Sequence, residues 1–217
     1  MLKLQGTTKF EGIDLESVLE KAKANFKASC IDEISYKVIQ EPSKGFIFGI
    51  GKKPLIIEAY PNEKYLVNRV KDFLKNILSY FEEDVDININ YYNKTLKIFL
   101  EGENLGKVIG KQGRNLGALQ HLTMIYVNRM TDTKCDVKLD VGDYRRNRKK
   151  NLELIADNAA KKAIMTNEKV ELAPMFSFER KIIHKYINYN YPRLHTVSMG
   201  LEPYRKVVIY PSKNGHK

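Results

Sequence analysis

The chain has 217 residues, 43% hydrophobic and 29% charged, enough for one to three small domains with buried cores. No apolar run approaches the roughly 18 residues of a membrane span, and the opening MLKLQGTTKFEG lacks the apolar core of a secretory leader. The net charge of +11 is lopsided: residues 1–100 hold 15 Lys/Arg against 14 Asp/Glu, whereas the rest hold 22 against 12. A basic half of this kind fits a polyanionic partner or, alternatively, a solvated basic surface.

Three units follow one another, without low-complexity sequence or a Gly/Ser linker. Residues 1–60 read as a βαββ-like domain. KLQGTTKFEG is strand-like, and IDLESVLEKAKANF is an amphipathic helix with Asp14 near its start. Strands broken by turns at Pro42-Ser43 and Gly49 to Pro54 complete it. Residues 61–141 open with a helix over about 63–82, where Leu66, Val70, Phe73, Leu74, Ile77 and Leu78 recur at helical spacing. DVDININYYNKTLKIFLEG alternates apolar and polar residues about Asn93-Lys94, the pattern of a β-hairpin. A short helix near 103–109, a glycine-bracketed turn, a helix over 114–129 and the strand KCDVKLDV give the order αββααβ. Residues 142–212 begin with a long basic helix from Tyr144. A strand KVELA, a helix FSFERKIIHKYINY and two short strands, LHTVSMG and RKVVIYP, follow. The expected class is α+β, three small domains in tandem.

Chemistry concentrates in three places. In GKVIGKQGRNLGALQ one helix ends at Gly110, and Gly113 lets the next begin two residues later. Glycine lets another backbone come close, and the helix behind offers unpaired N–H groups and a partial positive charge. Lys111 and Arg114 add charge beside Gln112, so the turn has the parts to grip phosphates; an ordinary polar helix turn is the alternative. YRRNRKK places Arg145, Arg146, Arg148, Lys149 and Lys150 within seven residues, as a binding face or merely a solvated one. In FERKIIHKY, Arg180 and His184 stand at i, i+4 and share a helix face. They are expected on a polar stripe flanked by Lys181 and Lys185. Ile109, Leu116, Leu119, Leu122 and Ile125 read as core at helical spacing. Gly117 should cost about 1 kcal/mol relative to alanine inside a helix.

Catalytic readings are weaker. His121, His184, His195 and His216 show no metal spacing, and Cys30 and Cys135 lie far apart and read as free thiols in a reducing compartment, with one disulfide as the lesser alternative. No metal or cofactor is called for and no enzyme is expected. A metal-independent nuclease with His184 as base is the catalytic alternative, and an adaptor whose central unit only associates is the structural one.

The residues carry a resemblance. VIGKQGRNLGALQHL inside an αββααβ unit resembles a KH domain of the bacterial type II arrangement, with Gly110-Lys111-Gln112-Gly113 as its GxxG loop; such loops clamp about four nucleotides by their backbones. In KH domains a few apolar groups beside the loop floor the groove where bases lie, and the resemblance makes Val108 and Leu116 the candidates for it. The 178–186 helix, with its preceding basic helix and closing β-hairpin, is similar to the small domain named for its Arg-x-x-x-His (RxxxH) motif. KFEGIDLESVLEKA and GFIFGIGKKPLIIEAY look like the N-terminal domain of the Jag family, also called SpoIIIJ-associated proteins, and the order of the three units is that family's. The resemblance implies a cytoplasmic protein binding single-stranded RNA, with single-stranded DNA as second candidate, and acting as a post-transcriptional regulator linked to cell-envelope growth or sporulation. It further implies a small KH-domain protein and a membrane-protein insertase as candidate partners, with a homo-oligomer as candidate assembly. The nucleic-acid-binding residues would be Gly110, Lys111, Gln112, Gly113 and Arg114, then Arg145, Arg146, Arg148 and Lys149, then Arg180 and His184. One departure is the absence of the long charged linker that some members carry: Tyr60-Pro61 leads almost directly into the next helix.

Overall fold

Each of the three stretches builds a three-stranded sheet covered by helices. A computed structural model describes residues 4, 6–43, 52–81 and 84–211. The α+β class expected from the sequence is the class observed. The chain divides into two compact units, Met1–Gly142 and Asp143–Lys217, the first holding two of the sheets.

The first sheet is formed by β1 (Thr8–Gly12), β2 (Ile34–Gln40) and β3 (Leu55–Pro61), antiparallel in the order β1-β3-β2. Helix α1 (Leu15–Phe26) crosses it. The Asp14 carboxylate accepts from the Ser17 amide at 2.8 Å and fixes the start of α1. Along the central strand, Leu55, Ile57 and Ala59 alternate inward and meet Val18, Leu19 and Ala22. The bridge between Ser43 and Lys53 closes the arm that follows β2. The strand and turn expected across residues 44–51, and the chain beyond Pro211, lie outside the described residues.

The second sheet has the order β4 (Asp86–Tyr92), β5 (Thr95–Glu101), β6 (Asp136–Val141). The β4–β5 hairpin turns at Asn93 and Lys94, both left-handed, with φ of 47° and 60°, as a primed two-residue turn requires. β6 then pairs parallel to β5. Packed on the sheet are α2 (Glu63–Leu78), the one-turn α3 (Gly106–Ile109) and α4 (Arg114–Met130). A single 3-10 turn, Ser79–Phe81, prolongs α2. Leu66, Val70, Leu74 and Leu78 bury one face of α2, as their spacing predicts. Helix α4 departs from expectation. Its buried stripe is Leu116, Leu119, Thr123 and Val127, so Leu122 and Ile125 stand outside it, 49% and 40% exposed. Thr123 can occupy the core because its hydroxyl donates to the Leu119 carbonyl at 2.7 Å.

The first two sheets are joined by more than the chain between them. Glu33, 1% exposed, accepts from the Ser29 amide at 2.7 Å and from the Asn68 side chain of α2 at 2.6 Å. Asn62, which caps α2, also donates to the Asp32 carbonyl at 2.8 Å.

The third sheet is β7 (Val170–Glu171), β9 (Lys206–Tyr210) and β8 (His195–Met199), antiparallel in that order. KVELA shrinks to the two paired residues of β7. Helices α5 (Tyr144–Thr166) and α6 (Ser177–Asn190) cover it. Leu152, Ala156, Ala159, Ala160 and Ala163 form the inward seam of α5, against Ile183, Ile187, Val207 and Ile209. Four small alanines let the neighbouring helix and sheet approach closely.

Candidate nucleic-acid interface

Helix α3 lasts one turn because Gly110 ends it at φ 71°, a conformation that suits glycine. Its amide still donates to the Gly106 carbonyl at 2.8 Å. A Cβ at Gly110 would lie 2.6 Å from the Asn115 side chain. Asn115 is held there by a 2.7 Å bond from its amide nitrogen to the Lys107 carbonyl, so it closes the end of α3 while its own helix begins. Between the helices, Lys111, Gln112 and Gly113 form a single 3-10 turn with Gln112 and Gly113 left-handed (φ 56° and 80°). Gly113 brings no side chain to cap α4, and no acid stands in the first turn of that helix. Lys111 and Arg114 are exposed and Gln112 half-buried. The result is a tight backbone knuckle, ringed by positive charge, in front of a 17-residue helix. Val108 and Leu116 are 1% and 2% exposed; they are core beneath the knuckle, not the floor of a groove.

The basic run at the start of α5 splits by face. Arg148 turns inward. Its guanidinium meets Glu179 at 2.7–2.8 Å, and Glu179 is fully buried. The other oxygen of Glu179 accepts from the Phe176 amide at 3.0 Å, just before α6. The pair therefore ties the start of α5 to the start of α6. Arg145, Arg146 and Lys149 are exposed; Arg146 reaches Asp143 at 2.6 Å and Lys149 lies 3.7 Å from Glu153. Burial raises the pKa of the Tyr144 phenol beside them, against the opposing pull of Arg148.

Arg180 and His184 do share one side of α6, but not as an exposed stripe. Arg180 is 6% exposed and donates to the Met175 carbonyl and to Glu202, both at 2.8 Å. The half-buried His184 ring is held at both nitrogens: Nδ1 lies 2.7 Å from Thr196 Oγ1 and Nε2 2.7 Å from Ser198 Oγ. Each hydroxyl can donate or accept, so the two hold the ring in place whichever nitrogen carries the proton. Desolvation, then the charges of Arg180 and His195, hold the His184 pKa below its ordinary value. Lys181 and Lys185 do not flank the pair; at 100° per residue they project from another side of the helix. Five residues of this geometry escaped sequence reasoning: Asn115, Glu179, Thr196, Ser198 and Glu202. The alternating hydroxyls of β8 were the one legible signal, because i and i+2 share a strand face.

Fold and site together define a class: a KH domain of the αββααβ arrangement with its GxxG turn between α3 and α4, preceded by a βαββ domain and followed by an RxxxH unit. Family profiles agree: residues 10–61 match one described as the Jag N-terminus, 68–141 a KhpA/KhpB KH domain and 150–211 the domain named for its Arg-x-x-x-His motif. A protein of Clostridium symbiosum named RNA-binding protein KhpB is 36% identical over 197 residues, 90% of this chain and 87% of the relative. Its namesake from Bacillus subtilis is 34% identical over 180 residues, 82% and 86% of the two chains. That of Streptococcus pneumoniae is 25% identical over 155 residues, 71% of this chain and 47% of the relative. The chain belongs to the Jag/KhpB family. Its relatives carry the name of a binding protein, not of an enzyme. Among the described residues, no helix is long and apolar enough to cross a membrane.

Proposed function

We propose that the chain binds single-stranded RNA, with the turn Gly110–Gly113 as its principal grip on the backbone. One observation carries this reading: two consecutive left-handed residues and a left-handed glycine before them bring bare backbone to the surface between two helices. Lys111 and Arg114 supply charge there. Arg145, Arg146 and Lys149 attract phosphates from the exposed side of α5, whereas Arg148, Arg180 and His184 hold the third domain in shape around its binding face. The proposed domains are 1–60, 61–141 and 142–212. The name RNA-binding protein KhpB on the relatives supports RNA over DNA. A cytoplasmic regulator of cell-envelope growth or sporulation, near a membrane-protein insertase, rests on the family resemblance alone.

The test is the double variant Lys111→Asp with Gln112→Asp. Two acids at the point of closest approach repel phosphate, so affinity for single-stranded RNA is expected to fall at least about tenfold while circular dichroism stays that of the parent. Unchanged affinity would sink the reading, and equal affinity for single-stranded DNA would remove its RNA preference.

A second reading has its own observation. Leu122 and Ile125 leave an apolar strip on the outer face of α4, which suits association with a second KH domain, either of a small single-KH protein or of another copy. Sedimentation of Leu122→Glu/Ile125→Glu against the parent, alone and mixed with such a protein, measures it.

A further inference from the structure

The third domain carries a surface to which, of the residues assigned above, only Lys149 belongs. Between α5 and the outer side of α6 lies an open groove of about 490 Å³, lined by nine residues that include Lys149, Phe178, Lys181, Lys185, Tyr186 and Tyr189. Phe178 is 53% exposed and Tyr189 85%, large apolar rings left in water. Lys181 and Lys185 are exposed, and neither has an ionic partner among the described residues. Glu153 is the one carboxylate in the lining and is opposed by Lys149 at 3.7 Å. The groove is therefore cationic as well as aromatic.

The order of these residues along α6 is aromatic, lysine, lysine, aromatic, at positions 178, 181, 185 and 189. With a rise of 1.5 Å per residue they span about 16 Å, and they centre roughly 120° around the axis from Arg180 and His184. They are thus a separate face. Tyr186 deepens the groove wall with its ring while its hydroxyl turns away to Asp157 at 3.3 Å. Exposed rings at both ends, with ammonium groups between that have no ionic partner among the described residues, match what a single strand offers: faces of bases to stack and phosphates to neutralise. An acidic peptide would use the lysines but leave the rings unmatched.

We infer that Phe178, Lys181, Lys185 and Tyr189 form a second single-strand-binding site, in which one or two bases stack on the rings and the intervening phosphates lie on the lysines. This rests on the RNA-binding reading above and adds to it a site on a different domain from the glycine turn.

The experiment uses the full chain and a labelled oligouridine. Ultraviolet crosslinking followed by mass spectrometry is expected to place uridine adducts on Phe178 or Tyr189. Tyr189→Ala should weaken binding at least about fivefold, the lower end for loss of one stacked base. Lys181→Ala/Lys185→Ala should lower the slope of log affinity against log salt by about 1.4, two phosphate contacts on a single strand. These side chains are exposed, so unfolding midpoints should match the parent; Phe178→Ala is set aside because its ring stacks on Phe176. If the parent binds oligouridine through the glycine turn, yet the adducts avoid α6 and both variants keep affinity and slope, the second site is overturned while the first stands. If the parent binds no RNA, the function reading falls and this inference with it. A lysine variant that loses an oligoglutamate peptide but keeps RNA would also overturn it, as a protein-docking surface.

Discussion

The glycine turn of the KH domain and the Arg180–His184 pair of the third domain look alike as sequence: short polar motifs on helices, each with basic neighbours. As structures they are opposites. The turn exposes backbone and, among the described residues, commits no side chain of Gly110–Gly113 to an internal bond; positive φ and backbone bonds shape it. The pair is consumed internally: every polar side-chain atom of His184 and two nitrogens of Arg180 are bonded to the hairpin or to the loops beside it. A motif recognised by residue type can thus be a surface or the strut behind one, and burial separates the two.

The largest effect expected from that contrast is on stability. Arg148→Ala leaves the Glu179 carboxylate buried without a counter-ion and should cost about 3–5 kcal/mol, read by chemical denaturation. Replacing both partners with Met and Leu should recover most of it. A loss confined to RNA affinity would return Arg148 to the interface. Arg180→Ala removes two hydrogen bonds, one to an exposed carboxylate, and should cost about 1–3 kcal/mol in the same assay. Were RNA affinity to fall with the midpoint unmoved, Arg180 would be a contact and the contrast would dissolve.

On the other side of the comparison, Gly110→Ala forces a positive φ on alanine and drives its Cβ against Asn115. A cost of about 1–2 kcal/mol is expected, with weakened RNA binding in a fluorescence titration. Adding Asn115→Ala removes the collision but not the φ strain, so only partial recovery should follow. Gly117 has nothing within 4 Å of where an added methyl would sit, and a normal helical φ. Gly117→Ala should raise stability by up to about 1 kcal/mol; if affinity drops at the same time, the strand passes over that turn of α4.

The smallest effect is a pH dependence. His184 has its folded pKa held below the ordinary 6.5, so below that pH the unfolded chain binds more protons than the folded one. Stability should start to fall as pH drops through 6.5 and level off once pH passes the folded pKa. His184→Gln should flatten this change in denaturation curves taken across the range. An unaltered pH profile would mean that the ring titrates as it does in water.

Much of this was legible because local chemistry and fold agreed. Asn93-Lys94 announced the hairpin, and two glycines three residues apart announced the knuckle; both depend on backbone φ, which residue type reports directly. What was hidden depended on which neighbour an element meets. Arg180, Ile183 and Ile187 stand at i, i+3 and i+7, so Arg180 shares the core stripe, but its charge argued for water and concealed that. Thr123 likewise carries the α4 stripe because a backbone carbonyl accepts its hydroxyl. The binding of the first two sheets into one unit turns on Glu33, an acidic residue whose partners lie 4 residues before it and 35 after it.

The parallel pairing of β5 with β6 sets the order in which the proposed grip can be made. Thr95 meets Asp136 across an intervening segment that contains α3, the glycine turn and α4. The β4–β5 hairpin can close locally within microseconds, but β6 must wait for that long loop to fold back, the slow non-local step. During synthesis, a nascent chain still lacking β6 has the sequence of the knuckle without the strand that completes its scaffold. Binding competence should therefore arrive abruptly, late in the emergence of the KH domain from the ribosome, and a chain ending before Asp136 should not bind RNA through this turn.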